Sequence, residues 1–288
     1  MAKEIHTRSG LATVARILQC ADIAFVRVPV DQPTLVWVRR GTKIVRHAGQ
    51  EWTAGPGSFL ALAEATVFDV RNRPDADNRY EAFWVSFAPA LVAEFPAAGP
   101  TVDKAFLFPD PPQALEEAYL TAMRAVTAGQ ELPDGVACSR VRELLEWLAA
   151  QGRRFAPPRP ATVEARIRGL VSAQPSRAWT VPEAASAVAM SEATLRRHLA
   201  RAGRTFSELL ADIRFSQALT LIQATDQPIA RIAQDLGYES ASRFAQRFRE
   251  RFGHAPSVLR GHRRNQLDRN GTEIDRSEGV VPGAGQRQ

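Results

Sequence analysis

Between residues 24 and 87 apolar and polar positions change over in short runs. Residues 24–30, 35–40 and 42–46 are brief stretches rich in β-branched and aromatic side chains, with Gly41 between the last two. Similar runs follow at 58–62, 66–70 and 80–87. The breakers among them are Ala54-Gly55-Pro56-Gly57 and Asn72-Arg73-Pro74-Asp75. Short strands with turn signals at this spacing predict a β-barrel or sandwich. From Pro111 the period changes. Leu115, Tyr119, Ala122, Met123 and Val126 recur at helical spacing, as do Val141, Leu144, Leu145 and Leu148. Two helices, over 111–128 and 135–150, therefore close the first domain. One of them is expected to pair with its mate in a second copy of the chain, setting Leu144, Leu145 and Leu148, or Leu115, Tyr119 and Met123, against themselves.

Residues 153–162 hold three prolines, predict an extended linker, and separate a domain over 1–152 from a second over 163–264. That second domain is helical in period throughout. Residues 265–288 are polar and Gly-rich and are expected to be disordered. Thr180 with Glu183, and Thr205 with Glu208, have the spacing of capping boxes. Ser191, Asp226 and Ser240 are expected to cap further helices, and Gly237 to end one. Val181, Ala184, Ala185, Val188 and Ala189 repeat as Ile229, Ile232, Ala233, Leu236 and Gly237. Leu195 and Leu199 repeat as Phe244 and Phe248. The domain thus contains two helix-turn-helix units, joined by a long helix over 206–224.

Charge sharpens this picture. Residues 1–157 carry 17 Lys and Arg against 18 Asp and Glu, and residues 158–288 carry 20 against 13. The positive charge is in the helical half, and all of it there is arginine. The second helix of each unit turns its apolar residues inward. One then presents Ala193, Thr194, Arg196, Arg197 and Arg201 outward; the other presents Ser242, Arg243, Gln246, Arg247 and Arg249. Arginine can grip guanine through two hydrogen bonds, glutamine can grip adenine, and alanine or threonine can meet a thymine methyl. A solvated arginine-rich face is the plain alternative. The same layout on both helices favours double-stranded DNA as the partner.

These residues resemble the AraC/XylS-type bacterial transcription regulators. The resemblance spans roughly residues 179–260 and is most specific in Ile229-Ala230-Arg231-Ile232-Ala233-Gln234-Asp235-Leu236-Gly237-Tyr238, followed by Ser242-Arg243-Phe244-Ala245-Gln246-Arg247-Phe248 and Phe252-Gly253-His254-Ala255-Pro256. Ser191, Leu195, Gly203, Arg214, Ala218 and Leu221 match in the first unit. The resemblance implies base-reading positions at Ala193, Arg196, Arg197, Ser242, Arg243 and Gln246. It implies an α+β chain: an N-terminal cupin-like β-barrel with two dimerisation helices, then an all-α DNA-binding domain. It also implies a homodimer, a small-molecule effector and contact with RNA polymerase.

The remaining chemistry narrows the class. Metal-binding cupins need two or three clustered histidines, whereas His47 stands alone between His6 and His198. No metal and no cofactor are expected. Cys20 and Cys138 are isolated, which suits a reducing, cytoplasmic setting. Two such cysteines also fail the needs of a DNA-repair methyltransferase, the alternative that would make the chain an enzyme. No run of about 18 apolar residues calls for a membrane. Arg27, Trp37, Lys43 and Arg46 are the candidate effector residues, for an apolar molecule with an anionic end such as a fatty or aromatic acid. A protein partner as the signal is equally compatible with the sequence.

Overall fold

The computed structural model describes residues 5–95, 99–157 and 162–259. Among the described residues the N-terminal part contains ten strands: β1 His6–Arg8, β2 Ala12–Gln19, β3 Ile23–Val30, β4 Thr34–Arg40, β5 Thr42–His47, β6 Gln50–Ala54, β7 Phe59–Leu62, β8 Thr66–Arg73, β9 Tyr80–Phe87 and β10 Ala105–Phe108. Six form one antiparallel sheet in the order β1-β2-β9-β4-β7-β10, and four form a second in the order β3-β8-β5-β6. A short helix α1, Pro89–Ala93, follows β9. Helices α2, Gln113–Thr127, and α3, Asp134–Ala150, lie against the larger sheet.

The larger sheet is buried on both faces. Val36, Val38, Leu60 and Leu62 meet the smaller sheet through Val45 and Phe68. Leu35, Trp37, Phe59 and Ala61, the alternate residues of the same strands, meet α2 and α3 through Leu115, Tyr119, Leu144 and Leu148. That is why β7, Phe-Leu-Ala-Leu, reads as an unbroken apolar run. It also corrects the expected use of the two helices. Leu115, Tyr119, Met123, Leu144, Leu145 and Leu148 are all buried within this one chain, so none is free to face a second copy.

Strands β1, β2, β6 and β10 escape the reading of the sequence, and β8 runs on through Asn72 and Arg73, which look like turn residues. The proline-rich stretch is docked over its first half. Phe155 is buried against Phe87, and Arg154 exchanges backbone hydrogen bonds with Pro100 and Val102. Residues 158–161 and the tail expected to be disordered, 265–288, lie outside the described residues.

The C-terminal part is helical: α4 Val163–Ala173, α5 Val181–Ala187, α6 Glu192–Arg201, α7 Phe206–Ala224, α8 Ile229–Asp235 and α9 Ala241–Phe252. Both capping boxes form, at Thr180 with Glu183 and at Thr205 with Glu208. The hydrogen bonds from the Thr180 hydroxyl and backbone, reinforced by Arg177, pull the Glu183 carboxyl down to about 2. Ser191 and Ser240 cap α6 and α9 by accepting from Thr194 and Arg243 backbone nitrogens. The start of α8 differs from expectation: Pro228, not Asp226, holds the cap position, with no side-chain cap. Helix α7 buries Phe206, Leu209, Ile213, Phe215, Ala218, Leu219 and Ile222, because it packs on both helix-turn-helix units and on the barrel.

Candidate nucleic-acid interface and effector cavity

The two second helices, α6 and α9, each have one buried and one open side. On α6, Leu195 and Leu199 are buried while Ala193, Arg196, Arg197 and Arg201 are exposed and Thr194 is half-buried. Arg196 is paired with Glu192 one turn back at 2.6 Å, and Arg197 reaches the Thr194 hydroxyl at 3.4 Å. On α9, Phe244, Phe248 and Phe252 are buried while Ser242, Arg243, Gln246 and Arg247 are exposed. Gln246 donates to Glu250 at 3.0 Å. Among the described residues, Arg201, Arg243 and Arg247 have no ion-pair partner. The candidate DNA-contacting residues thus gather on two open helix faces.

The two faces belong to one block. Asp212 of α7 accepts from Arg204, just beyond α6, and from Arg251 of α9 at 2.9 Å. Arg214, also on α7, donates to the carbonyls of Pro175 and Arg177 in the loop before α5. Gly237, in the turn between α8 and α9, sits against that same loop. A Cβ there would lie 2.9 Å from the Ser176 carbonyl and 2.9 Å from the Arg214 guanidinium. Burial lowers the Arg214 pKa from its ordinary value. None of these ties can be read from the sequence, where an internal arginine looks like any other.

Between barrel and helices lies a cavity of about 580 Å³. Ile17, Val36, Leu62, Phe68, Val70 and Trp84 line its barrel side, and Ser172, Ser216, Gln217, Leu219, Thr220 and Leu236 its helical side. Lys43 lines it too, with its side chain buried and no carboxylate partner among the described residues. Its ammonium donates to Asn72 Oδ1 at 3.1 Å, and Asn72 donates in turn to Gln19 Oε1 at 2.8 Å. Burial pulls the Lys43 pKa down to about 8, since an unpaired charge is costly in an apolar wall.

Of the four candidate effector residues, Lys43 alone lines this cavity. Strand alternation explains the others. Trp37 sits one residue from Val36 and Val38, so it points to the opposite face and packs between Phe59 and Tyr119. Arg46 points outward and pairs with Glu51. Arg27 is exposed at an irregularity in β3, with φ of 55°. Trp84 and Asn72 do line the cavity: each is cross-strand from an inward residue, Val36 and Lys43, a pairing that only the fold supplies. Among the described residues, no cluster of three His, Cys, Asp or Glu could hold a metal ion. No helix there is long and apolar enough to cross a membrane.

Comparison with known proteins places both parts. A family model described as AraC-like ligand binding domain matches residues 12–171, and one described as helix-turn-helix domain matches 184–262. The urease operon transcriptional activator of Escherichia coli is 31% identical over 104 residues, 36% of this chain and 35% of that protein. The HTH-type transcriptional regulator YdeO of Escherichia coli strain K12 is 32% identical over 95 residues, 33% of this chain and 37% of that protein. The chain therefore matches only about a third of the length of these relatives, both named as regulators of transcription. The fold of unsaturated-fatty-acid-bound ToxT from Vibrio cholerae aligns over 88% of this chain and 97% of its own, with TM-score 0.64 and 15% identity. The ligand-binding model alone takes in more than half of the sequence, and the chain belongs to the AraC/XylS-type family of transcriptional regulators.

Proposed function

We propose that this protein is a sequence-specific DNA-binding regulator whose barrel senses a small organic acid. The observation that carries the DNA half is the pair of open arginine-bearing faces on α6 and α9, fixed to one block through Asp212 and Arg214. Helix α7 has 19 residues, so it is about 28 Å long. Successive major grooves on one side of B-DNA lie about 34–36 Å apart. The two helices suit adjacent grooves of one asymmetric site. Footprinting of the full chain on a selected site tests this: two protected major grooves one helical turn apart are expected, and protection of a single groove refutes it.

The effector half rests on Lys43. An ammonium with no carboxylate partner among the described residues, beside the apolar barrel wall of Ile17, Val36, Leu62 and Phe68, is suited to an anionic head with an apolar body. The fatty acid named with ToxT is a ligand of that class. In the free protein Lys43 titrates at about 8 and in the unfolded chain at 10.5. The unfolded chain therefore binds more protons between these values, and wild-type stability rises across that window. Lys43→Met should be more stable than wild type at pH 7, on the order of 3 kcal/mol, with the gap closing by pH 10.5. Acid binding should weaken as pH climbs past about 8. Melts of both chains across this range, with and without medium-chain acids, measure it; a pH-independent gap would refute the assignment.

Homodimerisation, contact with RNA polymerase and action in the cytoplasm are part of the same proposal. With the apolar faces of α2 and α3 buried, the stripe of α3 left for a second copy is Val136, Arg140 and the half-buried Glu143 and Trp147. Sedimentation of the full chain with and without Val136→Asp tests that stripe; equal monomer–dimer equilibria would exclude it.

A further inference from the structure

The cavity is chemically lopsided. Its barrel end offers a donor, the Lys43 ammonium, which has one of its three N–H groups on Asn72. Its helical wall is built by α7, where Ser216, Thr220 and Gln223 share one face and Gln217 stands beside them. Here the donors are already engaged. The Ser216 hydroxyl donates to the Asp212 carbonyl at 2.8 Å, and the Thr220 hydroxyl donates to the Ser216 carbonyl at 3.1 Å. The Gln217 amide nitrogen donates to the Ser172 carbonyl at 3.0 Å. What these groups keep is acceptor capacity, and Gln217 Oε1 is buried with no hydrogen-bond partner among the described residues. Ser172 and Gln223 can take either role and leave the bias in place. Asp31, at the β3 end of the cavity, is itself an acceptor, paired with Arg168 at 3.3 Å.

A buried acceptor without a donor is costly, by more than a made hydrogen bond gains. An acid with a methyl end would leave that cost in place and cover Ser216 and Thr220 with hydrocarbon. A molecule carrying a hydroxyl at its far end gives Ser216 and Thr220 a donor, and gives Gln217 Oε1 one once that side chain turns toward the cavity. We infer that the effector is polar at both ends: an acidic head at Lys43, an apolar middle, and a neutral hydrogen-bond donor, a hydroxyl, against Ser216, Gln217 and Thr220 of the DNA-binding domain. This rests on the reading of Lys43 as the partner of an acid. The ligand's two ends then touch the two domains, one each. The donor end is the part that a helix of the DNA-binding domain recognises directly.

The test is a calorimetric titration of the full-length chain with two series of straight-chain acids of about eight to sixteen carbons, one ending in methyl and one in a terminal hydroxyl. At the best length the hydroxy acid should bind about tenfold more tightly, or better, because its partners are otherwise left unpaired. In Gln217→Leu/Thr220→Val that ratio should fall to about one, while the methyl-ended acid binds as well as before or better. The ratio in the wild-type chain does not depend on any variant folding. Methyl-ended acids binding as tightly as hydroxy acids at every length would overturn the donor end and leave the acid reading intact. Failure of both series to bind, or binding that Lys43→Met does not weaken, would overturn both.

Discussion

The two helix-turn-helix units share a plan and differ in what completes them. The core of the first unit contains Val163, Ile167, Val171, Trp179, Leu195, Leu199 and Leu209, all from the helical domain. The core of the second contains Phe215, Phe244, Phe248 and Phe252, but also Ile23 and Phe25 from barrel strand β3. Phe25 meets Phe252 edge-on at 6.4 Å. Arg251, the neighbour of Phe252, donates to the carbonyls of Val26 and Arg27 at 3.2 and 2.7 Å. Phe25, Val28, Pro29 and Val30 also line the cavity. One reading helix is thus self-contained, and the other is finished by the wall of the ligand site. Among the described residues, a change in that wall meets α9 directly and reaches α6 through α4, where Arg168 pairs with Asp31.

The largest test of that difference is Phe25→Ala. It removes a fully buried ring from the barrel side, and such truncations cost about 3–5 kcal/mol where the site cannot collapse. The expected result is a footprint that loses protection in the groove read by α9 and keeps it in the groove read by α6. Trp37→Ala, equally buried but facing α2 and α3, should cost similar stability without that bias. Equal loss in both grooves from Phe25→Ala would abolish the distinction between the units.

Gly237→Ala comes next. Its φ of 78° disfavours any Cβ, and the Cβ would meet the Ser176 backbone at 2.9 Å. Left-handed strain and overpacking together suggest roughly 2–4 kcal/mol. Hydrogen exchange should show protection lost in α8 and α9 and in the loop before α5, since Gly237 and Arg214 bracket that loop. Loss confined to α8 and α9 would mean the loop does not join the units.

At the DNA surface the effects are smaller and fall on separate base pairs. Arg197→Ala and Arg243→Ala should each cost about 1–3 kcal/mol if the arginine holds a guanine, and each should relax one position in its own half of the site. An arginine that meets only phosphate would weaken all sequences alike and lower the salt slope by about one. Binding selections with both variants decide between these outcomes.

What the sequence discloses follows the range of each interaction. Capping boxes at Thr180 and Thr205 and the caps at Ser191 and Ser240 are local, and all four are legible in the order of residues alone. Lys43 is legible as a candidate cation. Its separation from Arg46, Arg27 and Trp37 is not, because it depends on which way each strand residue points. Asn72 looks like a turn residue until Lys43 and Gln19 are seen to bracket its amide inside the barrel. The stripe Leu144, Leu145 and Leu148 announces a buried face but not the surface that buries it. Ile23 and Phe25 read as ordinary strand residues; their partners lie some 190 to 230 positions away, beyond the reach of any periodicity.

The smallest expected effect compares the two turns directly. Ala189 occupies in the first unit the place Gly237 holds in the second, and it adopts φ of 55°. An L-residue with a Cβ pays roughly 1–2 kcal/mol in that region, while glycine gives back about 0.5–1 kcal/mol in unfolded-state entropy. Ala189→Gly should therefore stabilise the chain, by about 0.5–1 kcal/mol. The gain should appear as slower exchange in α5 and α6 with α8 and α9 unchanged, because the first unit closes its core without the barrel. A chemical-denaturation midpoint unchanged or lowered by Ala189→Gly would mean that the Ala189 methyl makes a packing contribution equal to its strain. The two turns would then be matched to their surroundings in different ways, one by a side chain that packs and one by the absence of a side chain.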